Sequence, residues 1–151
     1  MALHTIKRGL NLPIKGVPAT KIEDGQTVAQ IGAMADDFPF MKARMAVNVG
    51  DPVKRGQLLF EDRKSEGVRF TAPGAGVVSA IHRGYRRALT SVVIDLDPGA
   101  QSALGEQIAF EHYTGADIGG LSGEAVRALL SESGLWTAIR MRPFSRVPGV
   151  T

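Results

Sequence analysis

The sequence predicts an α+β chain, mainly β, centred on a small barrel of short strands. Three observations carry this. Gly50-Asp51-Pro52-Val53-Lys54-Arg55-Gly56-Gln57-Leu58-Leu59-Phe60 and Phe70-Thr71-Ala72-Pro73-Gly74-Ala75-Gly76-Val77-Val78 read as strands hung on glycine turns, with a charged hairpin at residues 61–67 between them. Runs rich in strand-forming residues recur over 43–49, 57–61, 68–71, 76–82 and 89–96, the spacing of a compact sandwich or barrel. A change to helical periodicity near residue 120 then supplies the α part, read as the start of an α/β portion.

Taken in order, residues 1–35 hold short β-like pieces at 3–10, 12–18 and 26–33. Pro13 and Pro18 confine this region to edge strands and turns, packing on the barrel or on a following domain. Residues 36–98 form the barrel core, and its last strand, Ser91-Val92-Val93-Ile94-Asp95-Leu96, is rich in β-branched residues. Residues 99–151 are a connector, a short helix over 122–133 and the beginning of a second domain. Ser122 caps that helix, Glu124 suits its positive end, and Val126, Leu129 and Leu130 form one apolar stripe. Gly134 ends it. The segment that follows, 135–149, has the Pro/Gly composition of a linker or loop, and the chain is expected to continue into a longer protein.

The 151 residues suffice for a real core, since a domain of this size buries roughly 68–70% of its unfolded surface. Cysteine is absent, which excludes disulfides and thiolate metal sites. No apolar run reaches the ~18–20 residues of a membrane span. Net charge is +3 but unevenly placed: residues 42–87 hold ten Lys/Arg against four Asp/Glu, and residues 92–135 hold one Arg against seven acids. The basic stretch lacks the interleaved aromatic rings of a nucleic-acid reader, so no nucleic acid is expected as a partner.

The pattern G-D-x-V-x-x-G-x-x-L followed by A-P-x-x-G-x-V resembles the barrel-sandwich hybrids that carry biotin or lipoate on a hairpin lysine. Lys64 lies in that hairpin and is the residue such a carrier would modify. Arg63-Lys64-Ser65 matches neither the Met-flanked biotin site nor the Asp-Lys-Ala lipoate site, and Lys64 is out of register with both strands. An exposed hairpin lysine is the preferred reading. His4, His82 and His112 show no metal-ligand spacing, and Gly74 and Gly76 lie between two strands rather than before a helix, against a dinucleotide loop. No catalytic triad or acid–base pair is visible. The tail alternates Arg140, Arg142 and Arg146 with Met141, Phe144 and Val147. Such a segment can hold a polar head group beside an apolar body, or dock on a partner domain.

Read together, several segments resemble the A-type subunits of the sodium-translocating NADH–quinone reductases. They are Ile6-Lys7-Arg8-Gly9-Leu10-Asn11-Leu12-Pro13-Ile14, Val53-Lys54-Arg55-Gly56-Gln57-Leu58-Leu59-Phe60-Glu61-Asp62, residues 67–73, Ile81-His82-Arg83-Gly84, Ser91-Val92-Val93-Ile94, Leu121-Ser122-Gly123-Glu124 and residues 133–148. The family is similar to the flavin subunit of respiratory complex I and to the C subunit of ferredoxin-oxidising complexes. Ser133-Gly134-Leu135 keeps the lead-in to their flavin loop, but Trp136, Ile139 and Met141 stand where close backbone approach to a phosphate needs glycine. The resemblance therefore implies a peripheral subunit with no bound cofactor of its own, flavins, iron–sulfur clusters and NADH being held by other subunits. It implies ubiquinone as the complex's substrate, the other subunits as partners, and a place on the cytoplasmic face of the bacterial inner membrane, reached only through those partners. Arg140, Arg142 and Phe144 are expected on a quinone-facing or subunit-facing surface. A carrier modified at Lys64 and a flavoprotein NADH dehydrogenase subunit remain the alternatives.

Overall fold

In a computed structural model, residues 5, 15–23, 25–97, 106–113, 115 and 118–150 are described. Among the described residues, seven strands form two antiparallel sheets. The larger has β1 (Gln30–Met34), β7 (Leu89–Leu96), β6 (Gly76–Arg83) and β3 (Pro52–Val53) in that order, and the smaller has β2 (Ala43–Met45), β4 (Leu58–Asp62) and β5 (Arg69–Thr71). One helix, α1 (Gly123–Glu132), follows. Mainly β with one helix is the class expected.

Glycine turns set the register between the sheets. Asp51 caps its own turn through Asn48 N–H, 2.7 Å, and the turn pairs with β6 through Gly50 N–H to Val78 O and Val78 N–H to Asp51 O, 2.8 and 3.0 Å. An equivalent link joins the second turn to the residue that follows β5, through Gly56 N–H to Ala72 O and Ala72 N–H to Gln57 O, 2.8 and 2.7 Å. Gly56 needs its φ of +85°, which side chains other than glycine resist. These two links are the physical content of the glycine pattern in the sequence.

The core lies between the sheets. Leu59, Phe60 and Val68 come from the β4–β5 side and Val78, Val92 and Ile94 from β6 and β7, all at 1% exposure or less. Phe60 stacks on Phe70 at 4.6 Å between ring centres, and Phe38 meets Phe70 edge-on at the same distance. Leu59 and Phe60 are adjacent yet both buried, which plain alternation forbids. A bulge between Leu58 and Phe60, opposite Thr71 and Phe70, turns both side chains inward.

Differences from the sequence expectation lie at the edges. The strand expected over 26–33 begins at Gln30, and residues 25–29 lie outside it, with Ala29 O accepting from Leu96 N–H at 2.9 Å. β1 pairs with β7 from Gln30↔Asp95 to Met34↔Ser91, so the larger sheet starts N-terminal to residue 36. The run 43–49 yields only three residues of strand before its turn, and the two-residue β3 was not foreseen. Of the piece expected at 12–18, residues 15–18 form no strand and 12–14 lie outside the described residues, as does the piece at 3–10 apart from residue 5. Residues 106–108 pair with Arg55 through Arg55 N–H to Glu106 O and Ile108 N–H to Arg55 O, both 3.0 Å.

The helix behaves as its sequence dictates. Ser122 Oγ accepts from Ala125 N–H at 3.2 Å, and Gly134 just beyond the end takes φ +78°. Gly134 also has no room for a side chain: a Cβ there would stand 2.6 Å from Thr71 Oγ1. Glu132 ties the helix to the 106–113 segment, accepting from Glu111 N–H (2.7 Å), His112 N–H (3.2 Å) and pairing with His112 Nδ1 (2.9 Å). Burial alone would raise its pKa. The hydrogen bonds from Glu111 and His112 outweigh that and hold it below the ordinary glutamate value.

Two outcomes follow. Gly76→Ala places a Cβ 2.0 Å from Asp95 O and 3.0 Å from Leu96 Cα, so the β6–β7 pairing must part. A loss of about 2–4 kcal/mol in chemical denaturation is expected, and an unchanged midpoint would refute this packing. For Glu132, a depressed carboxyl adds stability that is present above the unfolded value and fades as pH falls through the lower folded one. Glu132→Gln should thus melt earlier than the parent at neutral pH, with the gap closing below about pH 4.3. A gap of constant size across that range would contradict it.

Candidate functional site

The hairpin carrying Lys64 connects β4 to β5, and its bonds decide whether it can serve as an arm. Asp62, 7% exposed, organises it by accepting from Lys42 N–H and Lys64 N–H through Oδ1, both 3.0 Å. The C-terminal segment then holds it residue by residue. Arg146 donates to Lys64 O and to Ser65 Oγ, each 3.2 Å. Val150 N–H donates to Glu66 O at 3.0 Å, and Ser131 Oγ donates to Gly67 O at 2.6 Å. Ser65 is itself buried, with Val147 O at 3.5 Å from its hydroxyl. The Lys64 side chain is exposed, but the hairpin beneath it is fastened at four consecutive residues, through the carbonyls of Lys64, Glu66 and Gly67 and the Ser65 hydroxyl.

Composition alone suggests a linker over 135–149; the structure instead packs it on the barrel. Trp136 Nε1 donates to Pro148 O at 2.9 Å, Val147 is 5% exposed within the core cluster, and Met141 N–H bonds Arg146 O at 2.8 Å to close a tight turn. The reason is nonlocal: the apolar side chains Trp136 and Val147 bury against the barrel, and a linker would leave them in water.

Of the three residues expected on a ligand or partner surface, two are brought together and one has another task. Arg142 and Phe144 are exposed and line an open cavity of about 660 Å³ with Phe40, Lys64, Met141 and Arg146. Phe40 and Phe144 meet edge-on at 6.3 Å between ring centres. Arg140 is turned away from that cavity. Its guanidinium lies 4.4 Å over the Phe38 ring and donates to Asp37 O and Ser145 O at 3.0 and 3.1 Å, bracing the turn against the barrel. Phe40 is the member that sequence reading missed. Its only local hint is Phe38-Pro39-Phe40-Met41, an apolar run with no strand or helix period.

An apolar floor with guanidinium and ammonium groups at its rim can take a molecule with an apolar body and an electron-rich oxygen. Among the described residues no three His, Cys, Asp or Glu side chains gather to hold a metal, and no helix is long and apolar enough to cross a membrane. After Gly134 the chain makes a short 3₁₀ turn (Leu135–Ala138) that packs through Trp136, leaving no glycine loop there for a phosphate.

Comparison with known proteins adds the following. Residues 4–97 match the family described as the NqrA N-terminal barrel-sandwich hybrid domain, and residues 121–151 match the NqrA second alpha/beta domain. The chain is 54% identical over 143 residues to the A subunit of the Na(+)-translocating NADH-quinone reductase of Pseudomonas aeruginosa, covering 95% of this chain and 31% of that protein. It is 50% identical over 146 residues to the corresponding protein of Pasteurella multocida, covering 97% and 31%. That of Vibrio alginolyticus is 46% identical over 146 residues with the same coverage. The chain thus spans about a third of the length of these relatives.

The clamp on the hairpin is testable through Ser65 and Arg146. Ser65→Ala and Arg146→Gln should each destabilise the chain by about 1 kcal/mol, and the double variant by less than the sum, since both remove one shared bond. Strict additivity in a double-mutant cycle would show that the two do not act together.

Proposed function

The chain belongs to the NqrA family, and we propose that it works as the N-terminal part of the NqrA subunit in a sodium-pumping NADH:ubiquinone oxidoreductase. The carrying observation is the match of two NqrA domains in chain order, at about half identity to curated members of the family. In this reading the protein is peripheral, on the cytoplasmic face of the bacterial inner membrane, and sits at the quinone-reducing end. It binds no cofactor, and the flavins, iron–sulfur clusters and NADH site belong to other subunits. Residues 36–98 are the core of the first domain, and residues 99–151 are a connector and the opening of the second.

The carrier alternative is disfavoured by geometry. A swinging lysine must travel between active sites, and the Lys64 backbone is tied through its own carbonyl and through Ser65, Glu66 and Gly67. The flavoprotein alternative is disfavoured by Trp136, whose half-buried ring occupies the region after Gly134.

Arg142 and Phe144 form the quinone-facing or subunit-facing surface, with Arg140 holding their turn in place. A guanidinium donates to a quinone carbonyl and favours the negative charge that reduction places on it, while Phe144 and Phe40 cover the ring and the start of its apolar tail. Photo-crosslinking of the assembled complex with a quinone analogue, followed by peptide mapping, should label residues 138–146. Arg142→Ala should raise the quinone KM by about ten-fold, the loss of one charge-assisted hydrogen bond, and leave NADH oxidation by an artificial acceptor unchanged. Labels confined to other subunits, with normal kinetics in Arg142→Ala, would remove quinone from this surface.

A further inference from the structure

Next to the Arg142–Phe144 cavity lies a second concavity of about 490 Å³, and Phe40 lines both. Its rim is cationic: Lys42, Arg83, Arg86 and Arg87 face it, with Asp36 the one acidic residue of its lining. Among the described residues none of these four cations has a carboxylate within ion-pair distance, although Lys21, Arg44, Lys54 and Arg69 each do. Phe40, which the two concavities share, meets Phe144 edge-on, and the two rings are 60% and 68% exposed. Tyr85, 82% exposed, carries the Arg86 guanidinium 5.1 Å over its ring.

The backbone marks the same face. Phe40, Arg86, Arg87 and Ser145, at φ +67°, +52°, +60° and +53°, are all the non-glycine residues at positive φ among those described. Bulky residues rarely take that conformation, and strained positions gather where a surface has work to do. Here the strain turns Phe40 outward and places two adjacent arginines beside it. At Arg86 and Arg87 the same conformation closes the turn between β6 and β7, where Arg87 N–H bonds Gly84 O and Ala88 N–H bonds Tyr85 O, both 3.1 Å, and it leaves both arginine side chains exposed.

We propose that this face docks on an anionic lipid bilayer, with Phe40 and Phe144 entering the interfacial layer and the surrounding cations meeting lipid phosphates. The charge fits: an apolar pair beside Lys and Arg side chains that have no carboxylate partner among the described residues is complementary to a surface of negative headgroups over acyl chains. The shape fits as well. Phe40 and Phe144 are 60% and 68% exposed, so both rings are open to an apolar phase that reaches this face. The cations come from separate segments at 42, 64, 83–87 and 142, a spread that a fluid array of phosphates accommodates without matched partner groups. The proposal goes beyond the functional reading above, because it needs neither quinone nor another subunit. It also departs from the expectation that the membrane is reached through partners alone.

The test is flotation of the 151-residue chain with quinone-free vesicles of phosphatidylcholine, alone or mixed with phosphatidylglycerol. The chain should float with the anionic vesicles only, and less as salt rises. Arg86→Asn with Arg87→Asn should weaken binding by about five-fold for each cation lost. Phe40→Gly and Phe144→Ser should each weaken it by about ten-fold. Glycine and asparagine accept positive φ, so these variants retain the fold, and thermal melting checks that each does. Phe144→Ser reads the apolar contribution at a position without that constraint. No flotation, or flotation indifferent to the phenylalanines, would overturn the proposal. So would equal competition by inorganic phosphate, which would mean a simple anion site, or tighter binding to poly-glutamate, which would mean an acidic protein partner.

Discussion

Arg146 determines what the barrel's hairpin can do. Its guanidinium reaches the Lys64 carbonyl and the buried Ser65 hydroxyl, and its own backbone carbonyl closes the turn at Met141. From that junction the tail runs through Val147 into the core and through Val150 onto Glu66. Removing these contacts would free the hairpin and expose the apolar side of the barrel together. The same bonds that stabilise the fold therefore exclude the motion a carrier needs.

The turn that the tail makes is also what builds the candidate surface. Arg140 pins one side of it to Asp37 O and the other to Ser145 O, with its charge over the Phe38 ring. Phe38 in turn packs on Phe70, which stacks on Phe60 at the barrel centre. A chain of contacts thus runs from the core to the exposed pair Phe40 and Phe144. Rigidity at the surface is inherited from packing inside, which lets side chains at strained backbone positions stay presented to solvent.

Much of the barrel was legible because its signals are local. Glycines at 50, 56 and 76 answer to turn geometry and close approach, and Ser122 with Gly134 brackets the helix by capping chemistry alone. The misses have a common cause. β3 is two residues long, the Leu59 bulge disguises alternation, and β1 is set by its pairing to the distant strand β7. For the surface, Arg142 and Phe144 were readable as a basic–aromatic pair, while the brace at Arg140 depends on a partner 103 residues away. Phe40 joins them only through tertiary folding, so no periodicity could single it out. The tail misled for the same reason: Pro and Gly indicate a loop, and only the barrel shows that the loop is packed.

The tail and the hairpin form one unit with the barrel, and hydrogen exchange on the backbone amides measures this most directly. Val150, Met141 and Val68 N–H should exchange slowly, together with the amides of β6 and β7, because opening any of them requires the barrel to open. Rapid exchange at Val150 and Met141 beside a protected barrel would show the tail detached and the hairpin free, and would contradict the account.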